Sequence, residues 1–267
     1  MKNVMDFMSW AVSHASPARI PKGSTLCVPL ERVGEDGVWQ YLYGTSGVRC
    51  TQTLLNRKYL SYYSIHGWTK AEYKAITNGW AEKGTFVCDC QGLEDHFSDS
   101  DTNAKGNYAS YCEQKGLIKE IDRPYVYGEA LSCGSKPSTI SHVGWVAGFA
   151  PDGEVLVLHE RGIAHGCVIE RLSKSGKDWT YRGLMTKRYV YDPPKAIQTY
   201  PRYVVYGGAT YTTVRSSPSV DGEAIGRFHA GEQAIIINES GSWDELVLHN
   251  QTPIIRGWCK DTYTKEA

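Results

Sequence analysis

Two apolar runs, Ser141-His-Val-Gly-Trp-Val-Ala-Gly148 and Val155-Leu-Val-Leu-His159, limit more than anything else how this chain can fold. They flank Pro151-Asp-Gly153, and runs of this kind around an Asp-Gly turn predict an antiparallel hairpin. Cys167–Leu172 and Arg188–Tyr191 read as further strands. Before about residue 124 the pattern is helical. Residues 3–14 place Val4, Met5, Met8, Ala11 and Val12 on one helix face. Thr69-Lys-Ala-Glu72 is a capping box opening a short helix that Asn78-Gly79 closes. Another helix is expected to begin at Asp89 or Cys90 and run through Phe97, and a further one to run from Asp101 or Thr102 to Gly116. Helices first and an antiparallel sheet second define an α+β fold.

A Pro/Gly-rich stretch over residues 17–37 reads as an inserted loop or ribbon. Residues 1–190 form the first expected domain. Asp192-Pro-Pro-Lys-Ala-Ile-Gln-Thr-Tyr-Pro201 lies within a predicted linker, residues 191–203. From 204 to 267 only short strands with turn signals remain, which predicts a small all-β barrel of roughly sixty residues, near the lower limit for independent folding.

The 267 residues carry 29 Lys/Arg and 29 Asp/Glu, so the net charge is zero and non-specific attraction to nucleic acid is not favoured. Nowhere do eighteen apolar residues run together, so no membrane insertion is expected. The first ten residues, Met1-Lys-Asn-Val-Met-Asp-Phe-Met-Ser-Trp10, lack the pattern of a secretory signal, which predicts synthesis in the cytoplasm outside the general secretory route. Eight cysteines in that setting are expected to be reduced thiols. Cys88-Asp-Cys90 is one residue short of the usual zinc spacing, and no second pair follows. No metal and no other cofactor is predicted.

Cys90 lies in Phe86-Val-Cys-Asp-Cys-Gln-Gly-Leu93, at the mouth of a predicted helix, and His142 follows 52 residues later at the head of an apolar strand. That order supplies what a thiolate–imidazolium nucleophile needs: a helix start beside the sulfur and a rigidly held proton acceptor. Read singly, each residue has a plainer alternative. Cys90 could be a buried structural thiol, with Cys88 its only competitor, and His142 or His159 a core histidine. Tyr41 could be an aromatic core position, and Asp89 no more than a helix cap. His14, His66, His96 and His229 read as surface or packing residues.

Asp89-Cys-Gln-Gly-Leu93, His142-Val-Gly-Trp-Val-Ala-Gly148 and Val157-Leu-His159 together resemble the NlpC-type papain-like cell-wall peptidases over roughly residues 35–190. The resemblance implies a papain-like domain with Cys90 as nucleophile, His142 as general base and His159 as the residue that orients it. Tyr41, in Tyr41-Leu-Tyr43-Gly44, matches the aromatic whose hydroxyl lies near the oxyanion, and Asp89 and Gln91 fall at substrate-contacting positions. Gln91 stands where the family has serine, Gly44-Thr45 stands where Gly-Gly is usual, and residues 45–86 form a second inserted segment. Val214-Arg-Ser-Ser-Pro218, Ile225-Gly226, Gly231, Trp243 and Gly257-Trp258 resemble a bacterial SH3-like (SH3b) module. There Trp243 and Trp258 are either core or ligand-facing rim, and Trp243 is the candidate wall contact.

The layout implies a peptidoglycan hydrolase of the phage-endolysin type, with bacterial peptidoglycan as its partner. It would cut an amide of the stem peptide, most often between γ-D-glutamate and the diamino acid. An N-acetylmuramoyl-L-alanine amidase of the CHAP type and a non-catalytic wall-binding phage component are the other readings. One requirement follows from strand geometry. A two-residue Asp152-Gly153 turn would set His142 opposite Ile163, leaving His159 four positions and about 13 Å away. A triad therefore needs a wider loop, spanning about Phe149 to Gly153, with Glu160 and His165 as alternative orienters.

Overall fold

Asn3 starts the first helix in a computed structural model of the chain, which describes residues 1–191, 202–240, 242–248, 251 and 255–266. The Asn3 side chain accepts the N–H of Met5 at 2.8 Å, and helix α1 follows over Val4–Ser13. Val4, Phe7, Met8, Ala11 and Val12 are buried along its inner face. β1 (Lys2–Asn3) precedes it. β2 (Thr25–Leu26) lies in the Pro/Gly-rich stretch, β3 is Gln40–Tyr41 and β4 is Val48–Arg49. α2 (Gln52–Lys58) and α3 (Lys70–Ile76) build the inserted segment, and Thr69 caps α3 with the predicted reciprocal Glu72 box.

β5 (Phe86–Cys88) then leads into α4 (Gly92–Ser98) and α5 (Ala104–Gly106). The strands that follow are β6 (Glu113–Leu117), β7 (Ala130–Cys133), β8 (His142–Phe149), β9 (Val155–Glu160), β10 (Cys167–Arg171), β11 (Trp179–Leu184) and β12 (Tyr189–Val190). Their order in the main sheet is β10-β9-β8-β7-β11-β6, with β2 added to β8. β3 and β4 flank β5 in a separate three-stranded sheet, and β3 runs parallel to it so that Tyr41 faces Cys88. The fold is thus mixed, helices with antiparallel sheets, as an α+β reading requires.

Two boundaries differ from expectation. The helix after Cys90 begins at Gly92, because Asp89 holds the preceding residues in a turn. The helix expected to reach Gly116 ends as a short turn, and Glu113–Leu117 instead pairs with β11. That edge strand is half exposed, so its apolar pattern was too weak to reveal it.

β8 and β9 are buried along their whole length, and strand alternation divides their side chains between two cores. Val143, Trp145, Leu156 and Leu158 pack with α1 on one face. Val146, Val155 and Val157 pack with Leu131 and Leu184 on the other. A third core, including Leu42, Leu54, Tyr63, Tyr73 and Trp80, holds the inserted segment together.

The chain divides into two compact units, residues 1–150 with 154–197, and residues 198–267 with 151–153. Residues 192–201, most of the predicted linker, lie outside the described residues. In the second unit β13 (Arg202–Tyr206), β14 (Tyr211–Arg215), β15 (Ala224–His229), β16 (Gln233–Ser240), β17 (Trp243–Leu248), β18 (Ile255–Lys260) and β19 (Thr264–Glu266) form one sheet of order β15-β14-β18-β17-β16-β13-β19. Val214, Phe228, Ile236, Leu246 and Leu248 supply its buried face. The strands of the predicted small barrel do not close on themselves among the described residues. β13 pairs with β16 on one edge and β19 on the other, so no edge is left for a ladder to β15, and only the Tyr206–Ala230 bridge approaches one.

Candidate active site

Asp89 shapes the turn that presents Cys90. Its Oδ1 accepts the N–H groups of Gln91 (3.1 Å) and Gly92 (2.8 Å), and its Oδ2 accepts the N–H of Gly44 at 2.9 Å. One carboxylate therefore ties the Tyr41–Gly44 segment to the start of α4. Gly92 is required by a close approach: a Cβ there would lie 2.0 Å from the carbonyl oxygen of Thr45. Cys90 borders a cleft of about 710 Å³ that Tyr41, Asp89, His142 and Lys177 also line. Its thiol points to the carbonyl oxygen of Ser141 at 3.9 Å, next to His142 in sequence. Cys88 is fully buried and donates to Glu160 Oε1 at 3.1 Å, so it takes no part in the cleft.

His142, His159 and Glu170 stand in a row on one face of the adjacent strands β8, β9 and β10. His142 Nε2 lies 2.9 Å from His159 Nδ1, and His159 Nε2 lies 3.0 Å from Glu170 Oε1. Arg19 meets Glu170 Oε2 at 3.1 Å, and Arg161 Nε meets Oε1 at 3.3 Å. The Trp179 ring covers the pair, its centroid 5.4 Å from each imidazole. Gly144 makes room for this row, since a Cβ there would come within 2.9 Å of His159 Cβ and 2.8 Å of the Leu158 carbonyl.

The hairpin register brings the two histidines together. Residues 150–154 form a five-residue loop closed by Ala150 N–H donating to Glu154 O at 2.8 Å, and a bulge lies between Val146 and Gly148. Trp145 consequently faces Leu158, where a two-residue turn would have faced it with Glu160. This two-residue shift moves His159 to the diagonal neighbour position of His142, within reach of a side-chain hydrogen bond. The other two candidate orienters lie apart from this pair. Glu160 points to the opposite face, against Cys88, and His165 Nδ1 pairs with Arg19 at 3.2 Å instead.

Electrostatics here favour neutral groups. Burial, with a further push from Asp89, raises the Cys90 thiol to about 12, against the pull of the Val143 and Gln91 N–H groups. Burial, then His159 and Lys177, holds His142 well below the ordinary imidazole value of 6.5. Both shifts favour a thiol and a neutral imidazole over the thiolate–imidazolium expected from sequence, because little solvent remains to support two charges. Burial also lowers His159, partly offset by Glu170. Burial alone would raise Glu170, but His159, Arg161 and Arg19 outweigh it and keep the carboxyl below its usual range. The Tyr41 hydroxyl is raised by burial and by its neighbours Cys90 and Asp89, so it remains a proton donor.

Cys90, His142, His159, Tyr41 and Asp89 thus come together, while Gln91 does more inside than in the cleft. Its amide donates to Glu94 (2.8 Å) and Asp95 (2.9 Å) in a buried network, while the residue also borders the cleft. Trp243 lies in the second unit, partly buried, with Lys260 Nζ 5.9 Å from its ring. Sequence reasoning missed Glu170, Lys177 and Trp179. Glu170 is brought in by the strand register: Val168 faces His159, and Glu170, two positions on, shares its face. Among the described residues no group of three or more His, Cys, Asp or Glu side chains is arranged to hold a metal ion, and no helix is long and apolar enough to cross a membrane. All eight cysteines are free thiols.

No family model matches the chain, and no curated protein does. Among solved structures a likeness is found to one described as "The crystal structure of Ly7917", at 15% identity, covering 64% of this chain and 82% of that one, with a TM-score of 0.23. At that score it bears on neither fold nor function.

Proposed function

We propose that this chain is a cysteine peptidase of the papain-like, NlpC type that hydrolyses an amide bond in the stem peptide of bacterial peptidoglycan. One observation carries the reading: a thiol and an imidazole that line the same cleft, the imidazole held through Nε2 by a second imidazole at 2.9 Å. His142 accepts the thiol proton as Cys90 Sγ attacks the amide carbon. The Tyr41 hydroxyl and the Cys90 backbone N–H donate to the resulting oxyanion. His142 then protonates the leaving amine, the C–N bond breaks, and water hydrolyses the thioester. The second unit, with its Val214–Pro218 and Gly257-Trp258 motifs, is an SH3b-like module that holds the enzyme on the wall, in the manner of a phage endolysin.

Digestion of purified cell wall by wild type and Cys90→Ala, with fragments identified by mass, tests this. Wild type is expected to release peptides with new amino and carboxyl ends, and the variant none. Glycan chains freed of intact stem peptides would replace the reading with an amidase, and equal activity in both proteins would remove Cys90 from the chemistry.

The neutral resting pair gives a second expectation. The base works only unprotonated, and His142 stays unprotonated to well below 6.5. The kcat/KM profile should therefore stay level from pH 8 down through 6.5 and fall only at lower pH. An acid limb centred at or above 6.5 would contradict the buried-base picture.

A further inference from the structure

We propose that Glu170 is a positioning residue that fixes which nitrogen of His142 carries the proton, acting through His159 across two hydrogen bonds. The proposal rests on the peptidase reading only for its kinetic consequence; the proton arrangement stands on geometry.

An ionised carboxylate can only accept hydrogen bonds. Glu170 Oε1, 3.0 Å from His159 Nε2, therefore requires the proton of neutral His159 to sit on Nε2. His159 Nδ1 is then a lone pair, and 2.9 Å away His142 Nε2 must donate to it. With its one proton on Nε2, neutral His142 has a free lone pair on Nδ1, the only ring nitrogen left to accept the thiol proton of Cys90. The opposite chain, with His159 donating from Nδ1, would put the His142 proton on Nδ1 and leave the enzyme without a base. Two imidazoles in series can run either way, and a fixed acceptor at the far end selects one direction.

The surroundings keep that acceptor ionised and in place. Arg19, from the turn Pro17–Arg19, and Arg161, just after β9, both pair with Glu170. Arg161 is further anchored by its Nε donating to the Ser175 carbonyl at 3.2 Å. Other charged or titratable groups near the row are Lys177, which bears on both imidazoles, Cys133, opposite His142 across β7 and β8, His165, beside Arg19, and Asp89, beside Cys90.

Nitrogen-15 NMR of histidine-labelled full-length protein at neutral pH reads the proton positions directly. In wild type, His142 and His159 should both show protonated Nε2 and bare Nδ1. Glu170→Gln, whose amide can donate as well as accept, should show a mixture at both rings. Its kcat should fall by about 10–100-fold with KM within about twofold, as for other residues that orient a base through one intermediary. Protonated Nδ1 on either ring in wild type overturns the proposal, and that measurement decides even if the variant does not fold. A variant that keeps the wild-type proton pattern and kcat overturns it too. If wall digestion by Cys90→Ala equals wild type, the peptidase reading fails, and the NMR result still judges the part played by Glu170.

Discussion

His142→Gln should slow hydrolysis by about 10³–10⁴-fold at pH 7 while leaving the protein folded, the size expected for loss of a general base to a poorly ionised nucleophile. With the Cys90 thiol pushed up to about 12, roughly one molecule in 10⁵ carries a thiolate at pH 7 unless a base removes the proton during attack. Glutamine cannot remove it, though its amide can still donate to His159 Nδ1 and fill most of the space of the ring. The residual rate of the variant should therefore climb about tenfold per pH unit through the alkaline range, following the thiolate fraction, whereas wild type should not. Stopped-assay rates between pH 7 and 10 measure this. A loss smaller than tenfold, or a residual rate flat with pH, would mean that Cys90 is activated by some other group.

Gly92→Ala should destabilise the first unit by about 3 kcal/mol or more, at or beyond the upper end for overpacking, and should remove most of the proposed activity in what remains folded. The added methyl would lie 2.0 Å from the Thr45 carbonyl and 3.0 Å from Ser46 Cα, both backbone atoms that cannot rotate away. Relief requires Thr45 to move, and the Asp89 N–H donates to that same carbonyl at 2.8 Å. The strain would therefore pass directly into the turn carrying Cys90. Gly116→Ala is the natural control, since a Cβ there makes only ordinary contact, 3.5 Å from Ile121, and should leave stability nearly unchanged. Urea unfolding of the three proteins compares them, and equal midpoints for Gly92→Ala and wild type would show that the two segments are not pressed together.

How far the sequence reveals this molecule depends on how local each determinant is. The cap at Thr69, the inner face of α1 and the strands on either side of Asp152-Gly153 are written in neighbouring residues, and they can be read directly. Cys90 and His142 are legible because a glycine needed for close approach follows each by two positions, Gly92 and Gly144. Glu170 was not, because its partnership with His159 exists only once β9 and β10 are aligned, and nothing within either strand fixes that alignment. Whether the small barrel closes was hidden for a similar reason: strand-forming pattern shows that β13 and β15 exist, but not that β19 takes the edge that closure needs. The neutral state of Cys90 and His142 was equally hidden, being set by how much water the surrounding cores exclude.

The five-residue loop after β8 has a meaning beyond its own surface. Strand side chains change sides with every step, so a single inserted or deleted residue that the ladder had to absorb would turn His159 inward against Cys88 and bring Glu160 out toward the cleft. Counting residues between Phe149 and Val155 is thus a test of whether a related chain still joins these two imidazoles, one that no inspection of its cysteine or histidines could replace.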